Sequence, residues 1–247
     1  DCSTDDTGTI LSSLPVQVLT HNKNQGPAAA RNTGAKSASC DILIFIDSDA
    51  YAFPDLNEKI LNSFSNNSID KKFAGVGGQG IEREILNIYD KWRITHNAQN
   101  FGISPKKDVP YLFGLCCSYR REVFEKVGGF DQYFRKNAGE DFDIGLRIRK
   151  YGYRLAYDPE IRVHHHHKDT RESLLRVQYN WSYWSYLSIL RTKHSTLKFI
   201  LGPYWRLISY SIKDLLNRRF DLVGINFDVF IAKQNGIYDA QKNYKRM

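Results

Sequence analysis

The sequence has only four cysteines and no long apolar run, and both absences limit the class of protein to which it can belong. The four cysteines form no CxxC pair, and two of them are adjacent at positions 116 and 117. That usage suits no simple disulfide framework and favours a reduced, cytoplasmic compartment. No apolar run approaches the roughly 18 residues that a membrane span needs, and no signal-peptide pattern is present.

The sequence also lacks an initiator methionine. It begins with DCSTDDT, an acidic and turn-like stretch of the kind found inside a domain rather than at its start. We therefore expect an N-terminal piece to precede Asp1.

Net charge is unevenly spread along the chain. The formal charge is +8, and residues 191–247 hold 11 Lys and Arg against 4 Asp and Glu, so nearly all of the excess lies in the last quarter. A basic segment of this kind is suited to bind nucleic acid, an anionic membrane surface or an acidic partner. Nucleic acid is the weakest of these interpretations, because the basic residues form no compact patch and no nucleic-acid module is recognisable.

Short apolar runs alternate with helical patterns, which predicts an α/β sheet flanked by helices. We expect strands over 15–20, 41–47, 72–77, 111–119 and 153–163, and helices from 27 onward and over 54–64, 81–96, 121–127 and 140–151. Beyond residue 168 the pattern is mostly helical and rich in aromatic residues. The sequence therefore predicts an α/β domain over 1–167 and a helical, basic and aromatic region over 168–247.

The stretch ILIFIDSDAYAFPD, residues 42–55, sends a buried strand directly into two carboxylates. Because side chains alternate along a strand, Asp47 and Asp49 should point to one side, with Ser48 opposite. Ligands of open α/β sheets bind beyond the carboxyl ends of strands, and paired carboxylates there favour Mg²⁺ or Mn²⁺. The alternative is a surface loop whose aspartates cap the helix that begins near Pro54.

Four blocks in order resemble the family 2 glycosyltransferases, enzymes of the GT-A fold. The first block, NQGPAAARNTG (24–34), lies upstream of the DSD triplet. Downstream of the triplet come GLCCSYRREVFEKVGGFDQYF (114–134), GEDFDIGLRIRKYGYRLAYDP (139–159) and the tract HHHH (164–167). The resemblance runs from Asp1 to about Ser185. It implies a Rossmann-like, mixed and mainly parallel sheet flanked by helices, with the family's first strand and helix lying before Asp1.

The resemblance also implies roles in the transfer reaction. Asp141 would be the catalytic base of an inverting transfer, and Glu140 would help to orient the acceptor. The alternative is that Glu140, Asp141 and Asp143 simply complement the dipole of the helix that they begin. Arg31 matches a position that contacts the base of the nucleotide, although a solvated helix arginine is the alternative, and Asp1 matches an acidic position near the nucleotide.

The metal site follows from the same resemblance. Asp49 would bind the divalent cation, Mg²⁺ or Mn²⁺, and Asp47 would lie near the ribose or the metal. Aligning the family's pattern points to His165, with His167 second, as the histidine that reaches the metal or the diphosphate. The remaining histidines of the tract are expected to be exposed.

The aromatic stretch 178–210 has two interpretations. Its apolar residues fall at helical spacing, so the helix either packs on the catalytic domain or lies at an anionic membrane surface with Trp and Tyr at headgroup depth. Where processive polymer synthases carry a QxxRW-like block, this chain has QYNWSYW (178–184), which favours transfer of single sugars.

Taken together, the sequence predicts a metal-dependent, inverting, non-processive glycosyltransferase. The resemblance favours a UDP-sugar as donor, a glycan or lipid-linked acceptor in surface-glycan synthesis, and a cytoplasmic location or peripheral contact with the inner face of the membrane. The alternatives are a nucleotide-sugar-binding protein without catalysis and a nucleotidyltransferase, which also uses aspartates at strand ends. The GED helix and the GGFD loop argue against the nucleotidyltransferase.

Overall fold

The computed structural model describes residues 1–82, 84–97, 99–134 and 138–245, which form an α/β domain followed by three long helices. The strands are β1 (Ile42–Ile46), β2 (Ala50–Ala52), β3 (Phe73–Glu82), β4 (Lys106–Val109), β5 (Cys116–Arg120) and β6 (Arg154–His165). The helices are α1 (Thr7–Ser12), α2 (Pro27–Ser37), α3 (Leu56–Asn66), α4 (Ile88–His96), α5 (Arg121–Lys126), α6 (Glu140–Lys150), α7 (Arg171–Thr192), α8 (Leu197–Leu216) and α9 (Phe220–Tyr244).

One sheet holds the six strands in the order β1-β5-β3-β6-β2, and β4 also pairs with β6. Only β3 and β6 run parallel among the described residues, while the other four pairings are antiparallel. The sheet is mixed as expected, but the prediction of a mainly parallel sheet is wrong. Alternation of strands and helices favours parallel neighbours, yet β5 inserts between β1 and β3 against their direction, and periodicity carries no signal for that order.

Three predicted elements also differ from the structure. The strand expected over 111–119 begins only at Cys116, as β5. Residues 15–20 form no strand, and their apolar side chains stand 54% (Val16), 44% (Val18) and 41% (Leu19) exposed. A strand needs a hydrogen-bonding neighbour, and none of the described strands pairs with this segment. The helix expected over 81–96 begins only at Ile88, because β3 continues to Glu82 in parallel register with β6; residue 83 lies outside the described residues.

Alternating side chains of the sheet fill two cores. On one face, α3 packs Leu56, Ile60 and Phe64 against the sheet. On the other face, α2, α5 and α6 supply a second core through Ala28, Val123, Phe124, Ile144 and Ile148. This layering fixes the N-terminal ends of α2 and α6 close to the end of β1, which is where the candidate site lies.

The predicted helical region is confirmed over α7, α8 and α9. Helix α7 packs along α9 and also contacts α6, while α9 contacts α4. Buried Trp92 of α4 donates its indole N–H to Asn226 of α9 at 2.7 Å, which pins the region to the α/β domain. Among the described helices, none combines the length and the apolar character needed to cross a bilayer.

Candidate active site

The pairing of β2 with β6 builds the centre of the site. Ala50 stands opposite His165, and the His166 amide donates to the Asp49 carbonyl at 2.9 Å. Asp47 and Asp49 do not share a strand face as predicted, because β1 ends at Ile46 and the Ala50 amide turns back to the Asp47 carbonyl at 3.1 Å. The turn sends the two carboxylates to different partners.

Asp49, His165 and His167 form a compact group of potential metal ligands. One ligand atom from each lies within 4.8 Å of the others. His165 Nε2 is 3.6 Å and His167 Nδ1 is 4.0 Å from Asp49 Oδ2, and the two imidazole rings stack with centroids 5.4 Å apart. The neighbouring His165 lowers the pKa of Asp49. Burial opposes the charge on His165, but Asp49 and Glu82 outweigh it and raise its pKa to about 9.

A buried network that the sequence analysis missed holds both rings in place. His165 Nδ1 lies 3.0 Å from Glu82 Oε1, and His167 Nε2 lies 3.2 Å from Asp169 Oδ1. Arg93 joins these carboxylates, donating from Nε to Asp169 at 2.6 Å and from Nη1 to Glu82. Carboxylates behind ligating histidines orient the rings and raise their basicity. Asp169 lies two residues after His167, and this spacing is a signal that could have marked it as a partner of the histidine tract. Glu82 gave no such signal, because it falls within the helix predicted over 81–96.

The other two histidines of the tract lie away from this group. His164 stacks on Phe53 with ring centroids 4.3 Å apart, and His166 is exposed. His165 ends β6 and His167 follows it in the chain, and the stacking of their rings places both beside Asp49.

Arg31 binds two carboxylates from separate elements. Its guanidinium donates to Asp47 at 2.6 Å and to Glu140 at 2.7 Å, so α2, the end of β1 and the start of α6 are tied at one point. Burial disfavours its charge, but Asp47 and Glu140 outweigh burial and raise the pKa of Arg31. Asp47 therefore lies on Arg31, outside the group formed by Asp49 and the two histidines. The Arg31 fork, expected at the nucleotide base, is already occupied by protein carboxylates.

Asp141 begins α6 and turns its carboxylate toward the cavity. Oδ1 accepts from the Phe142 amide at 2.7 Å, and Oδ2 accepts from the Gly114 amide at 3.4 Å. Desolvation and the neighbouring Glu140 raise the pKa of Asp141 to about 7. Gly139, with φ of 89°, precedes the helix, and a Cβ there would stand 2.7 Å from Trp184 of α7. A glycine is thus required for α6 to start against α7.

Asp143, unlike Asp141, has a structural role in holding two helices together. It is buried, binds Arg147 at 2.7 Å and accepts the Ser188 hydroxyl at 2.8 Å, which links α6 to α7. The helix-dipole interpretation therefore fits Asp143 better than Asp141, whose oxygens stand against the cavity.

Asp1 lies at the edge of the same region. Its carboxylate accepts from His21 at 2.8 Å and from the Gly26 amide at 2.7 Å, immediately before α2. It is not among the described residues that line the cavity. The structure thus assigns the carboxylate to the loop that starts α2.

A cavity of about 550 Å³ is lined by Asp49, Arg31 and Asp141, whereas His165 and His167 are not among its described lining residues. One side, which we call the sheet wall, is lined by Arg31, Asp47, Asp49, Gly114, Glu140 and Asp141. The opposite side, the helix wall, is lined by Gln178, Trp181, Arg206, Tyr210 and Lys233 from α7, α8 and α9. Asp49 and Asp141 therefore share one cleft, and the helical region forms part of its lining.

The chain matches known families over most of the α/β domain. Residues 1–128 match the family described as Glycosyl transferase family 2, and residues 94–169 match the N-terminal domain of galactosyltransferase. The solved structure of the mannosyltransferase PcManGT from Pyrobaculum calidifontis, in complex with GDP-Man and Mn²⁺, covers 96% of this chain and 76% of that chain. Its TM-score is 0.63 at 16% identity, which confirms the predicted GT-A fold.

Two curated relatives indicate the breadth of the family. The pre-mycofactocin glycosyltransferase of Mycobacterium tuberculosis is 31% identical over 159 residues, 62% of this chain and 33% of that protein. The O-antigen chain rhamnosyltransferase WbaN of Salmonella anatum is 29% identical over 185 residues, 68% of this chain and 55% of that protein. The chain thus spans a third to about half of the length of these relatives. Because the family match takes in more than half of its residues, the chain belongs to glycosyl transferase family 2.

Proposed function

We propose that this chain is an inverting, metal-dependent and non-processive glycosyltransferase. It would transfer one sugar from a nucleotide-diphosphate donor, with UDP-sugars favoured, to a hydroxyl of a glycan or lipid-linked acceptor. The observation that carries the proposal is that Asp49 and Asp141 line the same cavity. The relative named as an O-antigen chain rhamnosyltransferase supports a setting in surface-glycan synthesis.

Asp141 is the group suited to act as the base. A general base works best when its pKa lies near the operating pH, and that of Asp141 is raised to about 7. It would take the proton from the acceptor hydroxyl as that oxygen forms the new bond to the anomeric carbon. The bond from that carbon to the diphosphate oxygen breaks, and its electron pair leaves with the nucleotide.

Arg31 and Glu140 contribute by positioning the charged groups around Asp141. Arg31 holds Glu140 beside Asp141, and the negative charge of Glu140 contributes to the raised pKa of that base. One Glu140 oxygen is buried without a hydrogen-bond partner among the described residues, while the residue as a whole lines the cavity. Arg31 thereby sets the charge at both the strand end and the helix start.

The donor set fits Mn²⁺ better than Mg²⁺. One carboxylate oxygen and two imidazole nitrogens stand close together, and imidazole suits the borderline transition metals, while Mg²⁺ prefers oxygen alone. The carboxylates of Glu82 and Asp169 behind the rings are the supports that a metal-binding histidine needs. A cation held there would neutralise charge on the diphosphate as the nucleotide leaves.

Two measurements separate an enzyme from a binder. Titrating UDP with and without Mn²⁺ reports the donor site, and a screen of UDP-, GDP- and dTDP-sugars, read by nucleotide release, identifies the donor. Asp141→Asn should keep UDP binding and lose sugar transfer. Retained transfer in Asp141→Asn would remove Asp141 from the mechanism, and absent UDP binding in the wild type would remove the UDP-sugar.

We also propose peripheral contact with an anionic membrane through α8. Its exposed apolar residues fall at helical spacing and include Leu201 (53% exposed), Trp205 (71%), Ile208 (54%), Ile212 (52%) and Leu216 (79%). The segment from residue 191 onward carries most of the net positive charge, which complements anionic headgroups. Such a contact would bring a lipid-linked acceptor to the cavity.

Vesicle co-sedimentation tests this contact. Binding to vesicles that contain phosphatidylglycerol should exceed binding to pure phosphatidylcholine, and Trp205→Ser with Ile208→Ser should abolish it. The matched control Leu61→Ser changes an exposed apolar residue of α3 and should not matter. Equal binding to both lipids, or binding that survives the double substitution, would contradict the proposal.

A further inference from the structure

The helix wall holds two cations that the reaction does not use. Lys233 of α9 is 4% exposed, and Arg206 of α8 stands at the cavity's open side. Both lie over the ring of Trp181, with Lys233 Nζ 5.0 Å and the Arg206 guanidinium carbon 5.8 Å from its centroid. Cation–π contact stabilises such charges in part, but it does not replace a counter-ion.

Neither cation has a carboxylate within ion-pair distance among the described residues. The acidic residues of α9 are engaged elsewhere: Asp221 binds Lys91, Asp228 binds Arg171, and Asp239 accepts from Tyr179. A buried ammonium group without a partner is costly, and proteins pair or neutralise it. Burial, and then the charge of Arg206, lower the pKa of Lys233 well below its usual value, which favours the neutral amine until an anion binds beside it. The helix wall is therefore organised for a negative charge that the protein itself does not supply.

The location of this charge argues for the acceptor rather than the donor. The donor's diphosphate belongs with Asp49, His165 and His167 on the sheet wall in the proposed function. The cations at that end already have carboxylate partners: Arg93, beside His165, pairs with Glu82 and Asp169. Arg31 pairs with Asp47 and Glu140. The helix wall lines the same cavity as Asp141, which removes the acceptor's proton, and the Trp181 ring lies 6.2 Å from that of the neighbouring Phe142.

We propose that Lys233 and Arg206 form an anion subsite for the acceptor. The subsite binds an oxyanion, a carboxylate or a phosphate, carried by the molecule whose hydroxyl meets Asp141. This inference rests on the proposed function for the identity of the ligand as acceptor. It narrows the acceptor class to acidic sugars or phosphorylated glycans and lipids, and it assigns to the helical region a role in specificity.

Ligand-observed NMR on the full chain, with UDP and Mg²⁺ present, tests the subsite with matched probes. Methyl β-glucuronide is compared with methyl β-glucoside, and glucose 6-phosphate with glucose. We expect the anionic member of at least one pair to bind at least about tenfold more tightly than its neutral partner, the size of one charge-assisted contact. Preference for the carboxylate alone indicates an acidic sugar, and preference for the phosphate alone indicates a phosphorylated acceptor.

Variants locate the effect. Lys233→Met and Arg206→Gln should each remove most of the preference, while Lys213→Gln, an exposed cation of α8 outside the cavity, should leave it unchanged. Arg206→Gln changes an exposed residue and carries the test if Lys233→Met fails to fold. Equal binding of the neutral and anionic probes by the wild type would overturn the inference, as would a preference that survives both substitutions. UDP binding, measured separately on each protein, shows whether the donor site itself has failed.

Discussion

The two walls of the cavity achieve charge balance in opposite ways. On the sheet wall, charged groups neutralise one another: Arg31 holds Asp47 and Glu140, and Asp49 faces His165. On the helix wall, Arg206 and Lys233 have no carboxylate partner among the described residues. The difference indicates that the sheet wall is organised before ligands arrive, whereas the helix wall is completed by a ligand.

The largest effect is expected when the proposed base, Asp141, is removed from the sheet wall. Asp141→Asn should lower sugar transfer about a hundredfold to ten-thousandfold, the range for loss of a general base, with UDP affinity unchanged. Nucleotide release and direct UDP titration measure the two quantities.

Asp143→Asn is the matched control, because it changes an acidic residue in the same helical turn. It should lower thermal stability through Arg147 and Ser188 while leaving turnover near that of the wild type. If both variants lost transfer equally, the acidic residues would act through the helix dipole, and Asp141 would have no separate role.

The metal group on the sheet wall gives the next effect. His165→Gln should remove most Mn²⁺ affinity, and Glu82→Gln, which loosens the ring from behind, should lower it about tenfold to a hundredfold. Calorimetry with Mn²⁺ in the presence of UDP measures both.

His166→Gln provides the contrast, since this ring is exposed just after β6 and is not part of the group of Asp49, His165 and His167. It should retain wild-type affinity. A loss as large as that of His165→Gln would mean that the tract binds metal without the geometry of Asp49, His165 and His167.

The two walls also differ in how far sequence predicted them. Apolar runs and helical patterns predicted β1 and α6, and the resemblance to family 2 pointed to Asp49, Asp141 and His165, because each of these signals is local in the chain. Glu82 was missed because its position depends on parallel pairing with β6, more than 80 residues away. The helix wall left no motif: Trp181, Arg206 and Lys233 come from three helices, and only their packing brings them together.

A local sequence pattern also could not predict the direction in which each strand runs within the sheet. The alternation of strands and helices indicated the fold class correctly, but it could not show that β5 runs between β1 and β3 in the opposite direction. Residues 15–20 alternate like a strand and still form none, since alternation describes one face of a strand and not the neighbour that it must pair with.

A smaller effect tests the charge balance within the sheet wall. The negative charge of Glu140 raises the pKa of Asp141, so Glu140→Gln should lower that pKa. Because the base must be deprotonated, transfer by the wild type should fall as pH drops below about 7, and this limb should move to lower pH in the variant. Glu125→Gln, an exposed carboxylate of α5, should leave the profile in place. A limb unmoved by Glu140→Gln would separate Glu140 from the base.

The smallest expected effect is on stability, and its sign follows from the same carboxyl group. The folded-state pKa of Asp141, about 7, exceeds its ordinary value of 3.8, so the folded state favours the protonated form. The associated stability is fully present below the ordinary value and is lost as pH rises through 7. Asp141→Asn should therefore raise Tm by a few degrees at pH 8 and by almost nothing at pH 3.5, as read by thermal melts. An increase of equal size at both pH values would show that the amide stabilises by packing, and that a desolvated carboxylate on the sheet wall carries no cost.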